Sequence, residues 1–82
     1  MKIVIEYGVQ HTPQAQELKK NIRSVVTIED PLFENVTGLW CVPVENNNFK
    51  VTVGDAILFE GSAPSPYPTV QQIVDYIIEN RD

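Results

Sequence analysis

The hydrophobic pattern near the amino terminus predicts a strand followed by a helix. Residues 2–7 are almost continuously apolar and rich in β-branched side chains, which predicts a strand covered on both faces and therefore central in a sheet. After a short connection, Thr12 and Pro13 supply a hydroxyl cap and a proline suited to the first helical turn. The apolar residues that follow recur every three or four positions and predict one buried helix face: Ala15, Leu18, Ile22, Val25 and Val26.

The middle of the chain changes to strand periodicity. Residues 27–38 follow no regular period and are predicted to form a connecting loop, with room for one short irregular strand. Residues 39–44 are apolar but contain Pro43, which places this strand at a sheet edge or a bulge because proline has no N–H to donate. Residues 49–53 and 56–60 form a predicted hairpin around Gly54, with Phe49, Val51 and Val53 on one face.

The carboxyl-terminal part predicts a second helix. Residues 61–68 are rich in proline and are expected to run over the surface as a loop. Thr69 and Gln72 then form a capping box, and the apolar residues beyond them have helical spacing: Val70, Ile73, Val74, Ile77 and Ile78. The order β-α-β-β-β-α predicts one α/β domain over residues 1–82, with a small mixed sheet packed against two helices.

Length and charge narrow the classes of function. Eighty-two residues support one hydrophobic core, and a formal charge of −5 opposes binding to nucleic-acid phosphates. No run of about 18 apolar residues is present, so no membrane span is predicted. One cysteine and one histidine allow neither an internal disulfide nor the usual zinc ligand set. The sequence therefore predicts a cytoplasmic protein without a metal site or a cofactor.

Two segments give the chain a resemblance to a known family. The first is the strand at residues 2–7, which passes through a tight loop into a helix carrying Leu18-Lys19-Lys20. The second is residues 49–55, Phe-Lys-Val-Thr-Val-Gly-Asp, followed by Phe59 and a closing helix that contains Ile73-Val74. These segments and their order resemble the selenoprotein W-like redox family of thioredoxin-like proteins. The resemblance implies a thioredoxin-like domain across nearly the whole chain.

The sequence departs from that family where its chemistry would lie. In the family, the loop after the first strand carries two cysteines, or a cysteine and a selenocysteine, because thiol exchange needs a second sulfur to resolve the mixed disulfide. Here the matching positions are Gly8, Val9, Gln10 and His11. Residues 62–68 also replace the family's glycine-rich loop before the last helix. The resemblance therefore implies a scaffold without the dithiol reaction, and no catalytic residue is predicted.

His11 and Tyr67 are candidates for a binding surface. A protein partner could contact the first loop, formed by Gly8, Val9, Gln10, His11 and Thr12, together with Tyr67 in the proline-rich loop. His11 could serve as a hydrogen-bonding or proton-transfer group, but an exposed loop histidine ahead of a helix is the interpretation we favour. Trp40 and Phe59 are expected to pack internally, and Tyr67 is the expected exception.

Cys41 keeps a second function class open. A free cysteine in an apolar strand usually behaves as a small buried hydrophobe, and the neighbouring sequence contains no base to activate it. We favour a non-catalytic protein-interaction module. The alternatives are a thiol-redox protein that uses Cys41 alone or with glutathione, and a small acidic inhibitor that imitates nucleic acid. A homo-oligomer formed through the edge strand at residues 39–44 is also compatible with the sequence.

Overall fold

The computed structural model describes residues 1–27, 30–62 and 67–80. Within these residues the chain forms four strands, two α-helices and two short 3₁₀ turns. The strands are β1 (Lys2–Gly8), β2 (Gly38–Val44), β3 (Phe49–Val53) and β4 (Ala56–Gly61); the helices are α1 (Thr12–Val25) and α2 (Val70–Glu79); the 3₁₀ turns are Val9–His11 and Pro31–Phe33. None of the helices in this described part is long and apolar enough to cross a membrane.

The four strands form one mixed sheet in the order β2-β1-β3-β4. β1 pairs in parallel with β2 and antiparallel with β3, and β3 pairs antiparallel with β4. The parallel pair needs a crossover connection, which α1 provides. The mixed α/β class, the interior position of β1 and the edge position of the strand carrying Pro43 are confirmed.

The hydrophobic core lies between the sheet and the two helices. Five core-facing positions of β1 and β3 are fully buried: Ile3, Ile5, Phe49, Val51 and Val53. Ile3 lies opposite Val53 and Ile5 opposite Val51, so these side chains share one face of the sheet, as the alternation in β3 predicts. The helix residues that cover them are Ala15, Leu18 and Ile22 from α1, and Ile73, Val74 and Ile77 from α2. Burial of each large apolar side chain contributes about 1.5 to 3 kcal/mol.

The opposite face of the sheet is not covered within the described residues. We call it the open sheet face; its side chains, from β2 to β4, are Trp40, Val42, Lys2, Val4, Glu6, Lys50, Thr52, Ile57 and Glu60. Trp40, Val42 and Ile57 are exposed, and Val4 is half-buried. The prediction that β1 is covered on both faces is therefore wrong, because both helices pack on the side of Ile3 and Ile5.

The two helices begin differently. Thr69 accepts a hydrogen bond from the Gln72 N–H while the Gln72 side chain accepts one from the Thr69 N–H, which confirms the capping box. The predicted hydroxyl cap of α1 is wrong. Thr12 is already helical, and its hydroxyl donates to the Val9 carbonyl over 2.6 Å, because a 3₁₀ turn leads directly into the helix.

The segments that connect the helices and strands contain local structure that the hydrophobic periodicity of the sequence did not indicate. Asp30 caps the second 3₁₀ turn by accepting from the Leu32 N–H over 3.0 Å, and Phe33 is buried in the core. Residues 30–37 contain no strand. In the β3–β4 hairpin, Gly54 has a φ of +61°, as the predicted tight turn requires. The hairpin also has an unpredicted irregularity next to Val51 that inserts Leu58. Part of the predicted proline-rich loop, residues 63–66, lies outside the described residues.

Candidate functional site

His11 is buried, with 4% of its surface exposed. Its Nδ1 atom lies 2.8 Å from the Tyr67 hydroxyl, and its Nε2 atom lies 2.9 Å from the Asn47 carbonyl oxygen. The ring also makes edge contacts with Phe49 and Tyr67, with centroids 5.7 Å away in each case. His11 therefore joins three segments, the first loop, the β2–β3 turn and the entry to α2, and the prediction of an exposed histidine is wrong.

For the neutral imidazole of His11, the hydrogen-bond partners assign one tautomer. The Asn47 carbonyl can only accept, so Nε2 carries the proton and donates to it. Nδ1 then accepts from the Tyr67 hydroxyl. The Gln10 amide nitrogen is 3.4 Å from Nε2, but two donors cannot bond to each other, and the shorter carbonyl contact prevails. Both ring nitrogens are thus occupied by contacts within the fold, which leaves neither one for a substrate.

Gly8 is packed against the β2–β3 turn. Its N–H donates to the Asn48 carbonyl over 2.8 Å. A Cβ atom at position 8 would overlap the Asn46 carbonyl oxygen and would lie 2.9 Å from the Asn47 Cα. Gly8 has a φ of −73°, which any residue adopts, so space rather than backbone conformation requires glycine here. The same crowding leaves no room for a cysteine side chain at the position that a dithiol motif would need.

The structure brings part of the predicted binding surface together. His11 contacts Tyr67, but both side chains face inward, and Tyr67 is half-buried with its ring 5.2 Å from that of Phe49. Val9 is 83% exposed, and Gln10 is also exposed. Tyr67 is therefore not the exposed exception among the aromatic residues. That exception is Trp40, on the other side of the sheet.

Cys41 lies in the middle of β2, opposite Ile5, and not beside the first loop. The side chain is half-buried against α1, with its Sγ atom 3.9 Å from the Ala15 carbonyl oxygen. Burial raises the pKa of the Cys41 thiol, and the charges of Lys19 and Arg23 offset only part of that rise. These cations lie far from Cys41 in the sequence, and the α1 crossover brings them near it. The thiol is consequently protonated at neutral pH and poorly nucleophilic.

The raised pKa of Cys41 predicts a loss of stability in alkali. The unfolded thiol ionises near its ordinary value of 9.0, whereas the folded thiol ionises at a higher pH. Its contribution to the free energy of unfolding is thus complete below pH 9.0 and is lost as the pH rises through the folded pKa. Between pH 8 and 10, we expect the free energy of unfolding of Cys41→Ser to fall less steeply than that of the wild type, as measured by urea denaturation under reducing conditions. Parallel pH profiles would contradict this expectation.

Trp40 is the largest apolar side chain on the open sheet face, and 44% of its surface is exposed. Its ring lies across Gly38, where an added Cβ would overlap the ring, and the Lys2 ammonium lies 5.6 Å from the ring centroid. Glycine at position 38 therefore leaves the space that the indole occupies, and the Lys2 ammonium makes a cation–π contact with it. Trp40 is aligned across the strands with Val4, Thr52 and Ile57, a set that we call the Val4 row.

The open sheet face carries equal numbers of positive and negative charges. Lys50 lies 3.9 Å from Glu6 and 4.0 Å from Glu60, so one ammonium bridges two carboxylates. Lys2, at the opposite end of β1, supplies the second positive charge. These pairs are partly exposed and contribute little to stability. Their consequence is electrostatic: this face has no net charge, although the chain as a whole carries −5.

A small apolar cleft lies between the end of α1, the second 3₁₀ turn and the start of β2. It has a volume of about 160 Å³, and its walls include Ile22, Val26, Phe33 and Leu39, with Arg23 at one side. Residues 28 and 29, which connect two of its walls, lie outside the described residues. We assign no ligand to this cleft.

Neither a metal site nor a known relative indicates a chemistry for the protein. In the part of the chain that the structure describes, no three side chains of histidine, cysteine, aspartate or glutamate come together to hold a metal ion. The sequence matches no protein family and no curated protein. Function must therefore be inferred from the two surfaces described above, the closed first loop and the open sheet face.

Proposed function

We propose that the protein is a non-catalytic protein-interaction module that binds through its open sheet face. The observation that carries this proposal is the exposure of Trp40 and Val42 on β2 and of Ile57 on β4, on a sheet face that both helices leave uncovered. The half-buried Val4 and Thr52 lie between them in the sheet. Single exposed apolar residues are common, but several on one uncovered sheet face are typical of an interaction surface. Tryptophan in particular is enriched among the residues that dominate binding energies.

The closed first loop supports a role without redox chemistry. Gly8 has no space for a side chain, and His11 has both ring nitrogens occupied. Cys41 has a raised pKa and lies on a different part of the sheet from that loop. In our proposal the scaffold is thioredoxin-like, as the βαβββα order suggests, and its function lies on the sheet surface and not at the end of β1. The residues of the first loop, Val9 and Gln10 above all, would then contribute a secondary contact.

Trp40 supplies the largest apolar surface for the proposed contact. Its indole lies over Gly38, and the Lys2 ammonium lies 5.6 Å from the ring centroid. Burial of the exposed parts of Trp40 and Ile57 would contribute several kcal/mol to association, at roughly 25 cal/mol per Å² of apolar surface. Truncation of these two side chains is therefore expected to weaken binding far more than it weakens folding.

A paired substitution tests the proposal. Trp40→Thr together with Ile57→Thr places β-branched residues, which suit strands, at both positions while removing the apolar surface. We expect a change of about 1 to 2 kcal/mol in the free energy of unfolding, because each side chain is about half exposed. Partners cross-linked to the tagged protein in its native cells and identified by mass spectrometry should be reduced at least tenfold.

The matched control removes equally exposed apolar side chains from the helices. Val25→Gln together with Ile78→Gln changes residues of α1 and α2 that are exposed to a similar extent as Trp40. This control variant should retain the partners that the wild type captures. Equal capture by all three proteins would show that the open sheet face is not the interaction surface.

A further inference from the structure

The open sheet face has a charge pattern that is complementary to itself. On β1, the side chains of Lys2, Val4 and Glu6 point to the same side of the sheet, because every second residue of a strand faces the same way. The positive charge lies on one side of Val4 and the negative charge on the other, at equal distance. A rotation by 180° about an axis through the Val4 row exchanges these two positions.

From this pattern we infer that the partner of the open sheet face is a second copy of the chain, in a two-fold symmetric dimer. This inference rests on the proposed function and names the partner. The axis lies between the two sheets and runs across the strands along the Val4 row. It places that row against its own copy and Lys2 against Glu6 of the partner subunit. Two packed sheets lie about 10 Å apart, a distance that an extended lysine and glutamate span together.

The charges distinguish this axis from one parallel to β1. An axis along β1 would place Lys2 against Lys2 of the partner subunit, and like charges in an interface are unfavourable. Within the chain Glu6 already has Lys50 at 3.9 Å. Among residues 1–27, 30–62 and 67–80, no carboxylate lies within 4.0 Å of the Lys2 ammonium, which is held above the sheet by the Trp40 ring. The two-fold arrangement gives Lys2 a carboxylate.

The net charge of the protein also favours a second copy on this face. Two chains that each carry −5 repel each other overall. The open sheet face has no net charge, since Lys2 and Lys50 balance Glu6 and Glu60. Association through this face therefore adds no net charge to the contact, and it buries the exposed apolar side chains of the Val4 row, Trp40 and Ile57.

The size of the face sets the expected strength of the dimer. Four strands about 4.8 Å apart and five to seven residues long, at 3.3 Å per residue, give a footprint of roughly 400 Å² per copy. The two copies together bury about 800 Å², which is less than a standard specific interface buries and is the size of a weak, transient contact. The dimer should therefore be visible by sedimentation over about 1 to 500 µM and should dissociate on dilution.

A charge exchange tests the dimer and its axis in one experiment. Sedimentation equilibrium of the wild type should give a dimer. Lys2→Glu and Glu6→Lys should each raise the dissociation constant at least about tenfold, because each places like charges opposite each other. The double variant Lys2→Glu with Glu6→Lys should restore most of the affinity. Circular dichroism spectra should establish that each variant is folded.

The outcomes separate this inference from the proposed function. A wild type that is monomeric at 500 µM overturns the dimer. Single variants that dimerise like the wild type, or a double variant that is no better than either single one, overturn the two-fold axis. If the wild type is monomeric but its cross-linked partners are lost in the variant with Trp40→Thr and Ile57→Thr, the dimer is overturned and the proposed function is not. A monomeric wild type with unchanged capture overturns both.

Discussion

Replacement of His11 by alanine is expected to lower the free energy of unfolding by about 3 kcal/mol. The substitution leaves the Asn47 carbonyl and the Tyr67 hydroxyl, whose hydrogen bonds to His11 are part-buried, without their partner, and each unsatisfied group costs about 1 to 3 kcal/mol. It also leaves a cavity beside Phe49, because the imidazole packs edge-on against that ring. Urea denaturation followed by circular dichroism measures the loss.

Two further variants measure how much the Tyr67 and Gln10 contacts of His11 each contribute to the free energy of unfolding. Tyr67→Phe removes one hydroxyl and keeps the aromatic packing, so we expect a loss of about 1 kcal/mol. Gln10→Ala removes only the long contact at 3.4 Å on an exposed side chain and should change stability by less than about 0.5 kcal/mol. A His11→Ala protein as stable as Gln10→Ala would show that His11 does not join the three segments in solution.

Replacement of Gly8 by alanine is expected to cost about 3 kcal/mol or more. The added methyl group would overlap backbone atoms of Asn46 and Asn47, and backbone cannot rotate away as a flexible side chain can. Displacement of this turn also weakens the hydrogen bonds from Gly8 to Asn48 and from His11 to Asn47. Loss of stability should therefore be accompanied by faster amide hydrogen exchange at Gly8.

Gly54→Ala is the matched control, because a different physical cause requires glycine there. Gly54 has a φ of +61°, but its added Cβ would make only an ordinary contact of 3.5 Å with Met1. Left-handed backbone costs alanine about 1 to 2 kcal/mol. We therefore expect Gly8→Ala to be more destabilising than Gly54→Ala. The reverse order would mean that the β2–β3 turn moves away from β1 at little cost.

The sequence predicted those elements whose signal is local. The alternation at residues 49–53 correctly gave the buried face of β3, and the capping box correctly gave the start of α2. Pro43 correctly placed β2 at an edge, because the constraint acts through the backbone of that one residue. The cover on β1 was predicted wrongly, since an apolar run does not reveal on which side the helices pack.

The candidate site depends on contacts between distant segments, and these could not be predicted. His11 bonds to Asn47 and Tyr67, residues 36 and 56 positions away, so no local pattern indicated that it is buried. Trp40 was expected to pack internally, but its strand presents it to the uncovered face. Lys2 and Glu6 are polar, but Val4 between them is apolar, so the sequence of β1 shows no alternation that would reveal its uncovered face. That face became apparent only when the sheet order placed Trp40 and Ile57 in line with Val4.

The order of the strands has a consequence for synthesis on the ribosome. β1 is made first, yet its neighbours in the sheet are β2 and β3, which end at Val44 and Val53. The first helix likewise has no sheet to cover until those residues have emerged. Residues as far as Val53 must therefore leave the exit tunnel before β1 is paired on both sides. The β3–β4 hairpin, whose contacts are local, then needs only a few more residues to complete the sheet.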